Sequence, residues 1–193
     1  MTSSGDEGRP TAETYVVLLR SVNLGAVNRV AMADLRALLG ELGFEDPRTL
    51  LNSGNAVVTA PGATTAADVA ARVGAGLSTR IGISTDVVAL SASELASIAV
   101  ENPLADVATN PSRLVVVFVA DAGTLADAAP LARRDWGEEA LAVGVHAAYV
   151  YSPAGVSASQ ALVALGRALA GTAFTTRNWA TVLKLAALAG VDV

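Results

Sequence analysis

Residues 16–44, VVLLRSVNLGAVNRVAMADLRALLGELGF, hold the unit on which the rest of the chain is built. Residues 14–20 (TYVVLLR) run apolar and β-branched without polar alternation, as a strand buried on both faces does. The loop at 21–29 is polar and carries Asn23, Gly25, Asn28 and Arg29, with Arg20 at its entrance. Met32, Leu35, Leu38, Leu39 and Leu42 then recur at helical spacing, which gives one apolar stripe. Gly43 ends that helix as a left-handed cap, and Phe44 packs back on the stripe.

Working outward, residues 48–51 predict a second strand, 52–55 (NSGN) a turn, and 56–60 the returning strand of a hairpin. Pro61-Gly62 breaks the chain. A helix capped by Thr64 or Thr65 runs to about residue 80, with Val69, Val73 and Leu77 on one face. Residues 85–90 form the next strand. The order β-α-β-β-α-β is the split βαβ, or ferredoxin-like, arrangement.

Ser91 and Glu94 have the spacing of a capping box, and the short helix they open stops before Asn102-Pro103. From 113–120 (RLVVVFVA) the chain has its strongest strand. A short helix is expected at 123–129, a hairpin at 139–143 and 147–151 with Gly144 in its turn, and a helix from Ser157 or Ser159 to about 170. A short edge strand at 172–175 and a last helix at 178–189 complete the chain. The expected fold is therefore α+β, with two ferredoxin-like (βαββαβ, α/β-plait) subdomains. The second has a weak last strand followed by a C-terminal helix. The boundaries are a disordered tail at 1–12, a first subdomain at 13–101, a linker at 102–112 and a second subdomain at 113–193. The tail is polar and Gly/Ser-rich, without the apolar content that would offset ordering.

Composition narrows the chemistry. The 193 residues carry a net charge of −5, and 52% are hydrophobic. The absence of cysteine removes disulfides, thiolate nucleophiles and Cys-based metal sites, and a single histidine, His146, provides no His pair. No metal or other cofactor is expected. The longest apolar run, 114–120, is far short of the roughly 20 residues that span a bilayer. With no secretory signal pattern, a cytoplasmic location without membrane attachment is expected. The acidic balance argues against non-specific nucleic-acid binding while leaving room for a local basic patch.

Three motifs, LLRSVNLGAVNRVAMADLRALLGELGF, LLNSGNAVV and TTRNWATVLKLAAL, together resemble the DUF1697 family of bacterial proteins of unknown function. The resemblance covers about residues 15–190. It implies two ferredoxin-like subdomains and no established activity. Arg20, Asn23, Gly25, Asn28, Arg29, Ser53, Gly54, Asn55, Arg177, Asn178, Trp179 and Lys184 fit the family pattern. Ser21, Ala26, Ala31 and Asn52 depart from it. So do residues 155–161 (GVSASQA), where the family carries an Arg and a Lys.

The candidate ligand-binding residues are Arg20, Asn23, Asn28, Arg29, Ser53, Asn55, Arg177, Asn178 and Lys184. The loop after the first strand leads into a helix N-terminus, where backbone N–H groups favour anions. Its arginines and asparagines add bidentate and amide donors. The competing reading has Asn23 and Asn28 shaping the loop and the arginines pairing with local carboxylates. Ser53 lacks an adjacent base and reads as a turn residue. Arg177, Thr181 and Lys184 share one face of the expected last helix, which is either an anion site or a solvated face. The leading functional reading is a small binding module for an anionic, phosphate-bearing ligand or nucleic acid. The alternatives are a structural or protein-interaction role, in which these polar residues are buried and mutually bonded, and a metal-free enzyme of unidentified reaction. Exposed sheet edges leave a homodimer open.

Overall fold

The computed structural model describes residues 12–25 and 28–193. The expected tail therefore lies outside the described residues except for Ala12, as do loop positions 26 and 27. The first plait runs β1 (Glu13–Leu19), α1 (Met32–Glu41), β2 (Glu45–Leu50), β3 (Asn55–Ala60), α2 (Ala66–Gly76) and β4 (Val87–Ser91). Its antiparallel sheet has the order β2-β3-β1-β4. After α3 (Ala92–Val100), residues 101–113 hold no helix or strand. The second plait follows with β5 (Leu114–Val119), a four-residue α4 (Leu125–Ala128), β6 (Ala140–Val143), β7 (Ala147–Tyr151), α5 (Gln160–Ala168) and β8 (Phe174–Asn178). Its sheet, β6-β7-β5-β8, repeats the first in order, and α6 (Trp179–Ala189) ends the chain.

The chain stacks as five layers. Leu35, Leu38 and Leu39 of α1, with Val69 and Val73 of α2, cover one face of the first sheet through Tyr15, Val17, Leu19, Ala56 and Val58. Leu125, Ala161 and Leu165 cover the outer face of the second sheet. The facing sides of both sheets share the middle layer made by α3 and α6. There Val16, Leu18 and Leu90 of the first sheet, and Val116, Phe118 and Tyr149 of the second, pack with Leu95, Ile98, Trp179, Val182 and Leu185. This explains the unbroken apolar runs of β1 and β5, since a strand covered on both faces has no polar side. Tyr149, wholly buried, donates its hydroxyl to the Ile98 carbonyl at 2.8 Å and ties the second sheet to α3. Such an O–H, buried without a partner, would be costly.

Several local readings are corrected. Strand β2 begins at Glu45, with a bulge between Glu45 and Arg48 where Asp46 takes a left-handed φ of 46° beside Pro47. The hairpin turn is residues 51–54; Asn55 already belongs to β3 and is wholly buried. The last strand is not at 172–175 but at Phe174–Asn178, with all five residues paired to β5. Arg177 therefore lies in a strand and does not share a helix face with Thr181 and Lys184. In β8 the side chains of Thr175 and Arg177 point inward by strand alternation. Asn178 caps α6, its Oδ1 accepting the Thr181 N–H at 2.9 Å. Among the described residues, no helix is long and apolar enough to cross a membrane.

Candidate functional site

The Ser21–Gly25 segment and the β2–β3 turn meet at the end of the first sheet, beside β8 of the second. Asn23 fixes this junction. Its Nδ2 donates to the carbonyls of Val30 (2.8 Å) and Asn52 (2.6 Å), and its Oδ1 accepts the Val30 N–H at 2.9 Å. Three non-glycine residues here, Ser21, Asn23 and Asn28, take left-handed φ values of 51°, 58° and 52°. Asn tolerates this conformation because its short amide bonds local backbone. Leu51, in the turn opposite, has φ 56° without that compensation. Gly54 is required by space: a Cβ there would sit 2.5 Å from Val22 Cγ2 and 2.7 Å from Leu19 Cβ.

Arg177 reaches from β8 into this corner and is only 8% exposed. Its Nε donates to Asn55 Oδ1. Nη1 donates to Thr175 Oγ1 (2.9 Å) and the Thr176 carbonyl (2.7 Å). Nη2 donates to the carbonyls of Leu19 (2.8 Å) and Ser53 (3.1 Å), with Gly54 O at 3.4 Å. All five N–H donors of a guanidinium are thereby engaged. Asn55 is held in turn by its Nδ2, which donates to Leu50 O and Ser53 Oγ, each at 3.0 Å. Burial pushes the Arg177 guanidinium down to about 10, so it remains charged at neutral pH. None of the ion pairs among the described residues includes Arg177.

Above Arg177 a cleft of about 470 Å³ opens between the plaits. Arg20, Ser21, Val22, Leu24 and Ser53 line it from the first plait; Leu162, Gly166 and residues 174–178 line it from the second, with Thr181 of α6. Arg20 is fixed at its side. Its Nη1 donates to Asp86 Oδ2 at 2.9 Å, and its guanidinium carbon stands 4.1 Å over the centre of the Phe174 ring.

The structure thus brings Arg20, Ser53, Arg177 and Asn178 to one cleft, with Asn55 directly behind Arg177. Asn23 and Arg29 line a separate, shallow depression of about 520 Å³ with Asn52. Asn28 is exposed in the loop, and Lys184 is exposed on α6 away from the cleft lining. Sequence reasoning missed Asp86, Phe174, Leu162 and Gly166. Phe174 stood directly before the TTRN motif and was the one available signal; the α5 residues and Asp86 arrive only through the fold. No group of three or more His, Asp or Glu side chains is placed to hold a metal among the described residues.

A family model described as a protein of unknown function (DUF1697) matches residues 12–149. The chain belongs to the DUF1697 family. Within that match lie Arg20, Asn23, Ser53 and Asn55; Arg177, Asn178 and Lys184 of this DUF1697 chain lie beyond it. A solved structure of a conserved bacterial protein from Streptococcus pneumoniae is similar at a TM-score of 0.70 and 22% identity. That match covers 93% of this chain and 99% of the other, and it shows the same fold. No curated protein matches the chain.

Proposed function

We propose that this DUF1697 protein is a binding module that takes a small anionic ligand in the cleft between its two plaits. The observation that carries the reading is Arg177: a buried cation at the cleft, bonded by carbonyls and neutral side chains rather than by a carboxylate. In a poorly solvated corner an uncompensated positive charge attracts an anion more strongly than it would in water. Arg177 supplies field, since its donors are already used. The direct contacts come from the N–H groups of Arg20 not bonded to Asp86, from the Ser53 and Thr176 hydroxyls, and from Asn178 Nδ2. A small anion is favoured over nucleic acid because the whole chain carries a net charge of −5 and a polyanion would meet that field along its length. Binding is favoured over catalysis because, among the described residues, the cleft lining includes no carboxylate or imidazole to act as a general base.

A second reading rests on the same residue. Because every donor of Arg177 is spent inside the protein, the motif residues serve to join the two plaits, and no ligand is needed. Thermal unfolding with phosphate, nucleoside monophosphates and organic carboxylates separates the two. Ligand binding predicts a concentration-dependent rise in midpoint that Arg20→Ala removes. No rise with any of these anions at saturating concentration leaves the joining role alone standing.

A further inference from the structure

The cleft has a chemistry more particular than anion binding. At about 470 Å³ it is several times the size of an inorganic phosphate, and it falls in the range of sites for organic molecules. Part of its wall is apolar. Leu24 stands 66% exposed at the rim and offers an apolar side chain there. Leu162 and Gly166, one turn apart on α5, line the same cleft with the half-buried Phe174. Gly166 keeps that wall open: a Cβ there would meet the Phe174 Cζ at 3.7 Å, so any larger side chain extends into the cleft. Arg20 is held flat. Phe174 supports one face of its guanidinium at 4.1 Å and Asp86 fixes its edge at 2.9 Å, while 38% of the side chain remains open to solvent. A guanidinium fixed in this way offers a planar surface for stacking and N–H edges for an oxyanion at once.

We infer that the ligand is a ring-bearing organic anion, of about the size of a nucleoside monophosphate. Its planar ring lies on Arg20 and against the Leu24, Leu162 and Phe174 wall, and its phosphate or carboxylate meets the donors of Arg20, Ser53 and Asn178. Phe174 and Asp86 are then positioning residues, acting through Arg20. Gly166 sets the room available to the ring. This rests on the anion-binding reading above and adds the class of ligand to it.

The test is a set of calorimetric titrations of the full chain. The probes are nucleoside monophosphates, indole-3-acetate as a ring carboxylate, inorganic phosphate, and adenosine as a ring without charge. The wild type should bind at least one ring anion ten-fold or more tightly than phosphate or adenosine. Gly166→Leu should lower that affinity at least ten-fold and leave phosphate binding within two-fold. Its unfolding midpoint should not fall, since Gly166 lies inside a helix and has no close backbone neighbour. Leu24→Ser, at an exposed site, should weaken ring anions alone. Phosphate binding as tightly as every ring anion, or ring-anion affinity unchanged in both Gly166→Leu and Leu24→Ser, overturns the ligand class; the anion site itself stands if Arg20→Ala still abolishes phosphate binding. Binding of none of the anions overturns both.

Discussion

Replacing Arg177 by alanine removes the one side chain of β8 that is bonded into the first plait's β1 end and β2–β3 turn. The change strands two buried acceptors, Leu19 O and Asn55 Oδ1, and the half-buried Ser53 O. Each acceptor left buried without a donor costs about 1–3 kcal/mol. Relief of the desolvated charge offsets part of the sum, because no carboxylate among the described residues compensates it. The stranded acceptors, less that relief, give an expected loss of about 3–5 kcal/mol. It is a large share of the roughly 5–15 kcal/mol that holds a domain folded. For a chain of this length it lowers the thermal midpoint by about 6–20 °C. Urea unfolding followed by circular dichroism measures it. Arg177→Lys should recover part of the loss, since an ammonium offers three donors instead of five. Added guanidinium at low millimolar concentration should raise the midpoint of Arg177→Ala and not that of the wild type. A loss below about 1 kcal/mol for Arg177→Ala would show that the acceptors find water, and that the carbonyl cage does not join the plaits.

Three further outcomes follow from local geometry. Gly54→Ala should destabilise by about 2–4 kcal/mol in the same urea assay, because the new methyl meets Val22 and Leu19 inside contact distance at a left-handed position. Leu51→Gly should stabilise by about 0.5–1 kcal/mol, since Leu51 is exposed and its φ of 56° is strained for leucine; a destabilised variant would mean that the Leu51 side chain is used in packing. Hydrogen bonds from the Thr65 hydroxyl and N–H hold the Asp68 carboxyl below the ordinary carboxylate range. The stability it contributes is therefore present above the unfolded carboxylate pKa and is lost as pH falls through the lower folded value. Thr65→Ala should bring the Asp68 titration, followed by NMR, back toward the ordinary range.

The sequence made the two plaits legible because their signals are local. The stripe of Met32, Leu35, Leu38, Leu39 and Leu42, the NSGN turn and the RLVVVFVA run each follow from spacing within a few residues. The shared middle layer was not legible. Both α3 and α6 read as additions to separate plaits, and only packing over long sequence separations places Leu95 against Trp179 and Phe118. The position of Arg177 was hidden for a different reason. A charged residue after Thr-Thr and before a helical run looks like a helix start, because arginine is seldom buried. The alternation of Thr175, Arg177 and Trp179, all buried, with half-buried Phe174, Thr176 and Asn178 marks a strand running to the cap of α6. Of the candidate residues, Arg20, Ser53, Arg177 and Asn178 meet because the end of β1, the β2–β3 turn and β8 come together at one corner of the stack. Lys184 stays apart because it lies in the second turn of α6 and is not part of the cleft lining.

The most direct test of an anion site between the plaits is an amide-resolved NMR titration of the full chain with adenosine monophosphate and with inorganic phosphate. Saturable shifts centred on residues 21–24, on Ser53 and on residues 175–181, and absent in Arg20→Ala, are the predicted result. Shifts that never saturate, or that centre on the separate surface around Arg134 and Arg167, would contradict the assignment of the cleft as the binding site.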